Sequence, residues 1–178
     1  GLDLAVEDMF DAETVWQCEW EDAPSQVLDA HWSGVPNYRD VSKVDWSSVE
    51  RVDILTGGFP CQDVSLAGRR VGLQSGSRSG LWSEFAKAID VLRPEWVVIE
   101  NVRGLTSAKA GSDVEHCPWC MGEAGGGRPV MRALGAVLGD LADLGFDAEW
   151  TGVRAADVGA PHQRFRIFIL AYANTGKQ

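Results

Sequence analysis

The sequence predicts an α/β fold, a mainly parallel sheet with helices on both of its faces. Three observations predict it. Short, continuous apolar runs stand at residues 14–19, 52–56, 96–100 and 166–172, as expected of strands covered on both sides. Stretches with a helical apolar period stand between them, at 81–92 and 130–144. The two kinds of segment alternate along the chain. Sheets of this class gather ligands beyond the carboxyl ends of their strands, so the residues that follow each strand carry the functional reading.

The chain opens with Gly1-Leu2-Asp3-Leu4-Ala5-Val6 and not with Met. An apolar pattern that starts at once is expected of a chain cut inside a fold. A run rich in β-formers follows at 14–19, then a short helix at 24–31 with Pro24 near its start. The strand at 52–56 leads into a loop, 57–80, that is too long for a plain connector and is expected to be functional. The helix at 81–92 carries Leu81, Trp82, Phe85, Ala88, Ile89 and Leu92 on its apolar stripe, and Pro94 stops it. After the strand at 96–100, a second long loop spans 104–128. The helix at 130–144 presents Val130, Leu134, Val137, Leu138, Leu141 and Leu144, and Gly145 is placed to cap it.

The bulk numbers describe an ordinary globular domain: 178 residues, 45% hydrophobic and 24% charged. No run approaches the roughly 18 apolar residues of a membrane span, so no membrane partner is expected. Four cysteines, Cys18, Cys61, Cys117 and Cys120, are too few to scaffold a domain of this size, and a reducing cytoplasm is expected. The net charge of −10 argues against a nucleic-acid binder, because phosphate contacts need Lys and Arg. The basic residues are uneven, however: Arg69, Arg70 and Arg78 share one loop, and Arg164 and Arg166 stand near the end.

Three strand ends carry residues with chemistry. The strand at 52–56 runs into Gly57-Gly58-Phe59-Pro60-Cys61-Gln62. A cysteine on a Gly/Pro turn past a strand end is exposed and firmly held, as a nucleophile must be; the alternative is a half-buried structural thiol. The strand at 96–100 closes on Glu100-Asn101-Val102. A carboxyl group there suits proton donation, or else caps backbone or pairs with an arginine. The third site is His162-Gln163-Arg164-Phe165-Arg166, leading into a strand. Two arginines spaced by two point to one face. That face is expected to border the core, so both need anionic or carbonyl partners.

Taken together, Gly58-Phe59-Pro60-Cys61-Gln62, Glu100-Asn101-Val102 and Arg164-Phe165-Arg166 occur in the order and context of the DNA (cytosine-5)-methyltransferases, and the chain resembles that family almost from end to end. The resemblance implies a Rossmann-like class I S-adenosylmethionine-dependent methyltransferase fold. It implies that Cys61 adds to carbon 6 of cytosine and that Glu100 contacts ring N3 and the exocyclic amine. Arg166, with Arg164 beside it, would hold O2 and orient the ring or Glu100. On the cofactor side, Gly1 and Leu2 look like the tail of a Gly-rich turn. Glu19 would bind the ribose hydroxyls, and Trp20 would stack near the adenine. Asp40 and Val41 match a short adenine-contacting segment, and Pro60 and Leu81 would line the pocket. Gln62, Ser65, Arg69, Arg70 and Asn101 would meet the substrate, double-stranded DNA with its target cytosine flipped out of the stack.

The chain departs from the family in three places. His162 stands where the third motif begins with Gln. Most of the Gly-rich turn and a target-recognition region are not in the sequence, so residues 1–178 are expected to be a catalytic domain incomplete at both ends. A complementing chain would then carry the recognition region, in a bacterial or phage-encoded system. His116-Cys117-Pro118-Trp119-Cys120 looks like an insertion; it is half of a zinc site at most, and loop thiols are the expectation. Two other functions fit the same motifs, a tRNA cytosine-5 methyltransferase and a non-catalytic, partner-dependent subunit.

Overall fold

The structure, a computed structural model, describes residues 1–59, 80–106 and 133–174. Its elements are α1 (Leu2–Phe10), α2 (Asp22–His31), β1 (Ile54–Gly58), α3 (Gly80–Leu92), β2 (Trp96–Val102), α4 (Ala133–Asp143), β3 (Phe146–Arg154) and β4 (Phe165–Ala173). Short 3-10 turns stand at Val41–Lys43, Arg103–Thr106 and Ala155–Val158.

The helices follow the apolar periods. α2 takes Pro24 into its first turn, where a missing N–H costs nothing. α1 ends at Asp11, whose left-handed backbone (φ 51°) turns the next N–H, that of Ala12, back onto the Glu7 carbonyl at 3.2 Å. The stretch that resembles the tail of a Gly-rich turn is therefore the first turn of a helix. After α4, Gly145 adopts φ 87°, the capping geometry its position predicts.

The strands differ from expectation at two places. Residues 14–19 join no ladder among the described residues. They make one parallel bridge, Gln17 to Asn37, in which Gln17 N–H donates to the Pro36 carbonyl at 2.9 Å and Tyr38 N–H donates to the Gln17 carbonyl at 2.8 Å. The apolar run specified extended backbone, but a ladder also needs a neighbour, and only residues 36–38 lie alongside. Conversely, β3 gave no apolar run. Its Asp147, Glu149, Thr151 and Arg154 dilute the pattern, and most of its residues are exposed.

The four strands lie in the order β1-β2-β4-β3. β1 is parallel to β2, while β2–β4 and β3–β4 are antiparallel. "Mainly parallel" is thus corrected for these strands. Residues 155–164 are too few for the crossover of a dozen or more residues that a parallel partner needs. β4 must therefore run back along β3, and by filling the place beside β2 it opposes that strand too.

Register sorts the side chains. Leu55, Val97 and Ala171 share one face with Ile99, Ile169 and Ile167, and all are buried. α3 covers this face: a Cβ built on Gly57 would lie 2.7 Å from Phe85 Cζ, so only glycine admits that ring. On the other face α1 stands against the sheet. The Thr56 hydroxyl donates to Asp3 Oδ1 at 2.5 Å, and the Phe10 and Trp96 rings lie 6.3 Å apart. Helices on both faces are therefore present.

A part-buried polar bond ties α3 to α4. Trp82, 0% exposed, donates its indole N–H to Asp140 Oδ2 at 2.6 Å. Burial pushes the Asp140 carboxyl up from its ordinary value, against the bond from Trp82. A raised folded value means the native state holds the proton at pH values where the unfolded chain, near about 3.9, has lost it. Stability then falls as pH rises through that window, and the penalty is fully present at neutral pH. Asp140→Asn keeps an acceptor for Trp82 and removes the titration. Urea unfolding across the acid range should show the variant gaining stability relative to the parent as pH rises, with the variant at least as stable at pH 7. A constant difference between the two at every pH would contradict this origin.

Candidate active site

β1, β2 and β3 end, and β4 begins, at one end of the sheet. There Glu100 Oε1 and Arg166 Nε form an ion pair, with side chains 33% and 22% exposed. The Arg166 Nε–H is buried and makes no hydrogen bond, so the contact is a pairing of charges. Arg166 also donates from Nη1 to the Phe165 carbonyl at 3.0 Å. Of the two alternatives for Glu100, the structure shows the carboxylate paired with an arginine. Arg164 departs from expectation: it is exposed and does not border the core. β4 starts at Phe165, so the pleat that aims Arg166 does not reach back to Arg164.

Next to the pair, the backbone of Phe59 is fixed from two sides. Asn101, 2% exposed, donates from Nδ2 to the Phe59 carbonyl at 2.7 Å and accepts at Oδ1 from Val102 N–H at 2.8 Å. The Phe59 ring packs on Trp82, with centroids 5.0 Å apart. Asn101 was expected at the substrate; in the structure its amide is bonded to the Phe59 carbonyl and the Val102 N–H. Both ends of its amide are engaged inward, because its place in β2 puts it on the covered face beside Ile167. Cys61 follows Phe59 by two residues. Cys61, Pro60, Gln62, Ser65, Arg69 and Arg70 lie outside the described residues, as do His116, Cys117 and Cys120. Among the described residues no cluster of metal-ligating side chains occurs. No described helix is long and apolar enough to cross a membrane.

A cleft of about 1340 Å³ opens beside β1. Leu2, Glu19, Trp20, Asp40, Val41 and Leu81, six of the residues singled out for a cofactor, are in its wall, and Glu100 is at its edge of the sheet. Gly1 is exposed and is not among the lining residues. Glu19 is held by its backbone: its N–H donates to Asn37 Oδ1 at 2.9 Å, and its carboxylate accepts from Glu21 N–H at 2.8 Å. Trp20 is 63% exposed, with Lys43 Nζ 5.5 Å from its ring centroid. The Asp40 carboxylate is occupied locally. Ser42 donates to it from backbone and hydroxyl, Lys43 pairs with it at 3.0 Å, and these partners, Ser42 first, hold it below the usual carboxylate range.

Two lining residues had no functional signal in the sequence. Asp3 ties α1 to β1 through Thr56, and Glu7 accepts from the Thr14 hydroxyl at 2.7 Å and the Trp32 indole at 2.7 Å. Those bonds, Thr14 first, hold Glu7 below the usual range. Cys18 also lines the cleft, but burial pushes its thiol up to about 11, which keeps it protonated and a poor nucleophile at neutral pH.

The profile of the C-5 cytosine-specific DNA methylases matches residues 1–178. Type II methyltransferase M.NgoBI of Neisseria gonorrhoeae is 28% identical over 174 residues, which cover 98% of this chain and 48% of the relative. Type II methyltransferase M.HhaI of Haemophilus parahaemolyticus is 28% identical over 174 residues, 98% of this chain and 46% of the relative. The chain spans about a third to a half of the length of the curated relatives it matches. In three dimensions it is similar to the S. pombe Dnmt2 methyltransferase, with a TM-score of 0.64 and 16% identity over 99% of this chain and 47% of that one. That likeness concerns the fold, and it accords with a class I methyltransferase sheet. With a family profile that runs from the first residue to the last, the chain belongs to the C-5 cytosine-specific DNA methylase family.

Proposed function

We propose that this chain carries the methyl-transferring centre of a DNA (cytosine-5)-methyltransferase that uses S-adenosylmethionine and acts on a cytosine flipped out of duplex DNA. The observation that carries the reading is the Glu100–Arg166 pair, set at the sheet end where β1 leads through Phe59 toward Cys61 and where the cleft opens.

The cleft residues fit the cofactor. A carboxylate at Glu19 suits a pair of ribose hydroxyls. The exposed Trp20 indole, with Val41 and Leu81, suits a flat ring. S-adenosylmethionine, when bound, supplies the methyl group. The chain's own residues do the rest. Carbon 5 of cytosine is a weak nucleophile until the Cys61 thiolate bonds to carbon 6, which turns the ring into an enamine. Glu100, bonded to ring N3 and the amine, stabilises the charge that addition develops. Arg166 keeps Glu100 oriented and offers its remaining donors to O2. Asn101 acts as a positioning residue: it fixes the Phe59 carbonyl, and so the backbone that leads into Pro60 and Cys61. Once carbon 5 holds the methyl group, a base removes its proton, the sulfur–carbon 6 bond breaks, and the ring double bond returns.

A covalent trap tests the reading. The chain, with any residues that flank it naturally, is mixed with S-adenosylmethionine and duplexes carrying 5-fluorocytosine, and the denatured product is weighed. Fluorine at carbon 5 blocks elimination. The expected product is protein plus DNA plus methyl, lost in Cys61→Ser. A folded, cofactor-binding protein that forms no adduct over varied duplex sequences would overturn the proposal.

A further inference from the structure

The sheet end that holds Glu100 and Arg166 also holds three arginines to which no role has been given so far as a group. Arg103 follows β2 directly, Arg154 ends β3, and Arg164 precedes β4. Register brings them together: Arg154 is opposite Phe165, and the Ala155 N–H donates to the Arg164 carbonyl at 2.8 Å. The Arg103 guanidinium lies 5.7 Å from the Phe165 ring centroid. All three arginines are exposed, and none has a carboxylate partner among the described residues. Arg39 and Arg93, at other sites, are each paired with an aspartate. The Asp157 carboxylate accepts from the Arg154 backbone N–H at 3.0 Å. In a chain of net charge −10, a concentration of unpaired guanidiniums is a local reversal of sign.

The Arg103 seat is built. A Cβ on Gly152 would lie 2.3 Å from Phe165 Cζ, so glycine is what lets the Phe165 ring lie across β3. A guanidinium held over an aromatic face keeps its donors directed outward and loses less freedom when it meets an anion.

We propose that Arg103, Arg154 and Arg164 form a rim that takes the sugar–phosphate backbone of duplex DNA beside the Glu100–Arg166 pair. The proposal rests on the DNA-directed reading above and adds where the duplex lies. Phosphate contacts fix register and orientation without reading bases. A rim at this end of the sheet would place the strand so that a flipped base reaches Glu100. It also answers the charge objection, since a short basic edge suffices where the rest of the surface is acidic.

Duplex binding measured by fluorescence anisotropy across about 50–200 mM salt tests this. Each phosphate contact contributes roughly 0.9 to the slope of log affinity against log salt. Arg103→Gln with Arg154→Gln should make that slope shallower by roughly 1.8, and Arg103→Lys with Arg154→Lys should restore it. An unchanged slope in the Gln double variant, or no duplex binding by the parent chain at low salt, would overturn the rim. The fluorocytosine adduct separates the two ideas: adduct formation with an unchanged slope removes the rim alone, and the DNA-directed reading stands.

Discussion

Glu100→Gln is expected to slow methyl transfer by about 100- to 1,000-fold, the usual loss when one preorganised group facing developing charge is removed. Gln fills the same volume and keeps one acceptor, but it cannot balance the Arg166 charge or present a carboxyl group to ring N3. The same change should barely alter stability. The Glu100–Arg166 pair is about a quarter to a third exposed, and pairs open to solvent contribute about 0–1 kcal/mol. Methyl-transfer rates with labelled cofactor, set beside thermal melting of the same preparations, measure both quantities. A large rate loss with an almost unmoved melting temperature assigns Glu100 to the chemistry. An unchanged rate would remove it from the mechanism, and a collapse in melting temperature would make it a structural residue.

Trp82→Ala should have the opposite profile. Trp82 is fully buried, touches Phe59 and Phe85, and donates its indole N–H to Asp140. Emptying such a site costs about 3–5 kcal/mol, and in a chain of this size each 1 kcal/mol lowers the melting temperature by about 2–4 °C. The expected drop is therefore roughly 6–20 °C. Trp82→Phe separates packing from polarity. It keeps a ring against Phe59 and leaves the half-buried Asp140 without its donor, at about 1–3 kcal/mol. Melting by circular dichroism orders the three proteins: parent above Trp82→Phe, and Trp82→Phe above Trp82→Ala. Equal stability of the two variants would mean that the Asp140 bond contributes the whole effect and the ring packing nothing.

The two substitutions also mark how far the sequence was legible. Glu100 and Arg166 could be singled out as candidates because each stands at a strand terminus inside a short pattern, and the structure pairs them. The helix periods at 81–92 and 130–144 placed α3 and α4 within a few residues. Trp82 was legible as core, but its bond to Asp140, 58 residues later, was not. A lone aspartate on an apolar helix has no pattern that names its partner. Asn101 shows the same limit. Its neighbourhood in the motif suggested substrate, whereas its place on the covered face of β2 turned it to the Phe59 carbonyl. Arg103 and Arg154 had no signal, because nothing in a one-dimensional pattern brings the ends of β2 and β3 together.

By itself, then, the sequence determined α2, α3 and α4, three of the four described strands and the class of the fold, and it singled out the candidate reacting groups. All of these follow from residue type and near-neighbour spacing. Only the tertiary structure decided the order β1-β2-β4-β3 and its antiparallel half, the ion pair of Glu100 with Arg166 but not with Arg164, the inward turn of Asn101, and the cleft that gathers Glu19, Trp20, Val41 and Leu81. The physical reason is common to all of them. A period of two or of 3.6 states which side of an element is apolar, but partner, direction and register depend on contacts between segments far apart in the chain, and these are fixed only when the whole core closes.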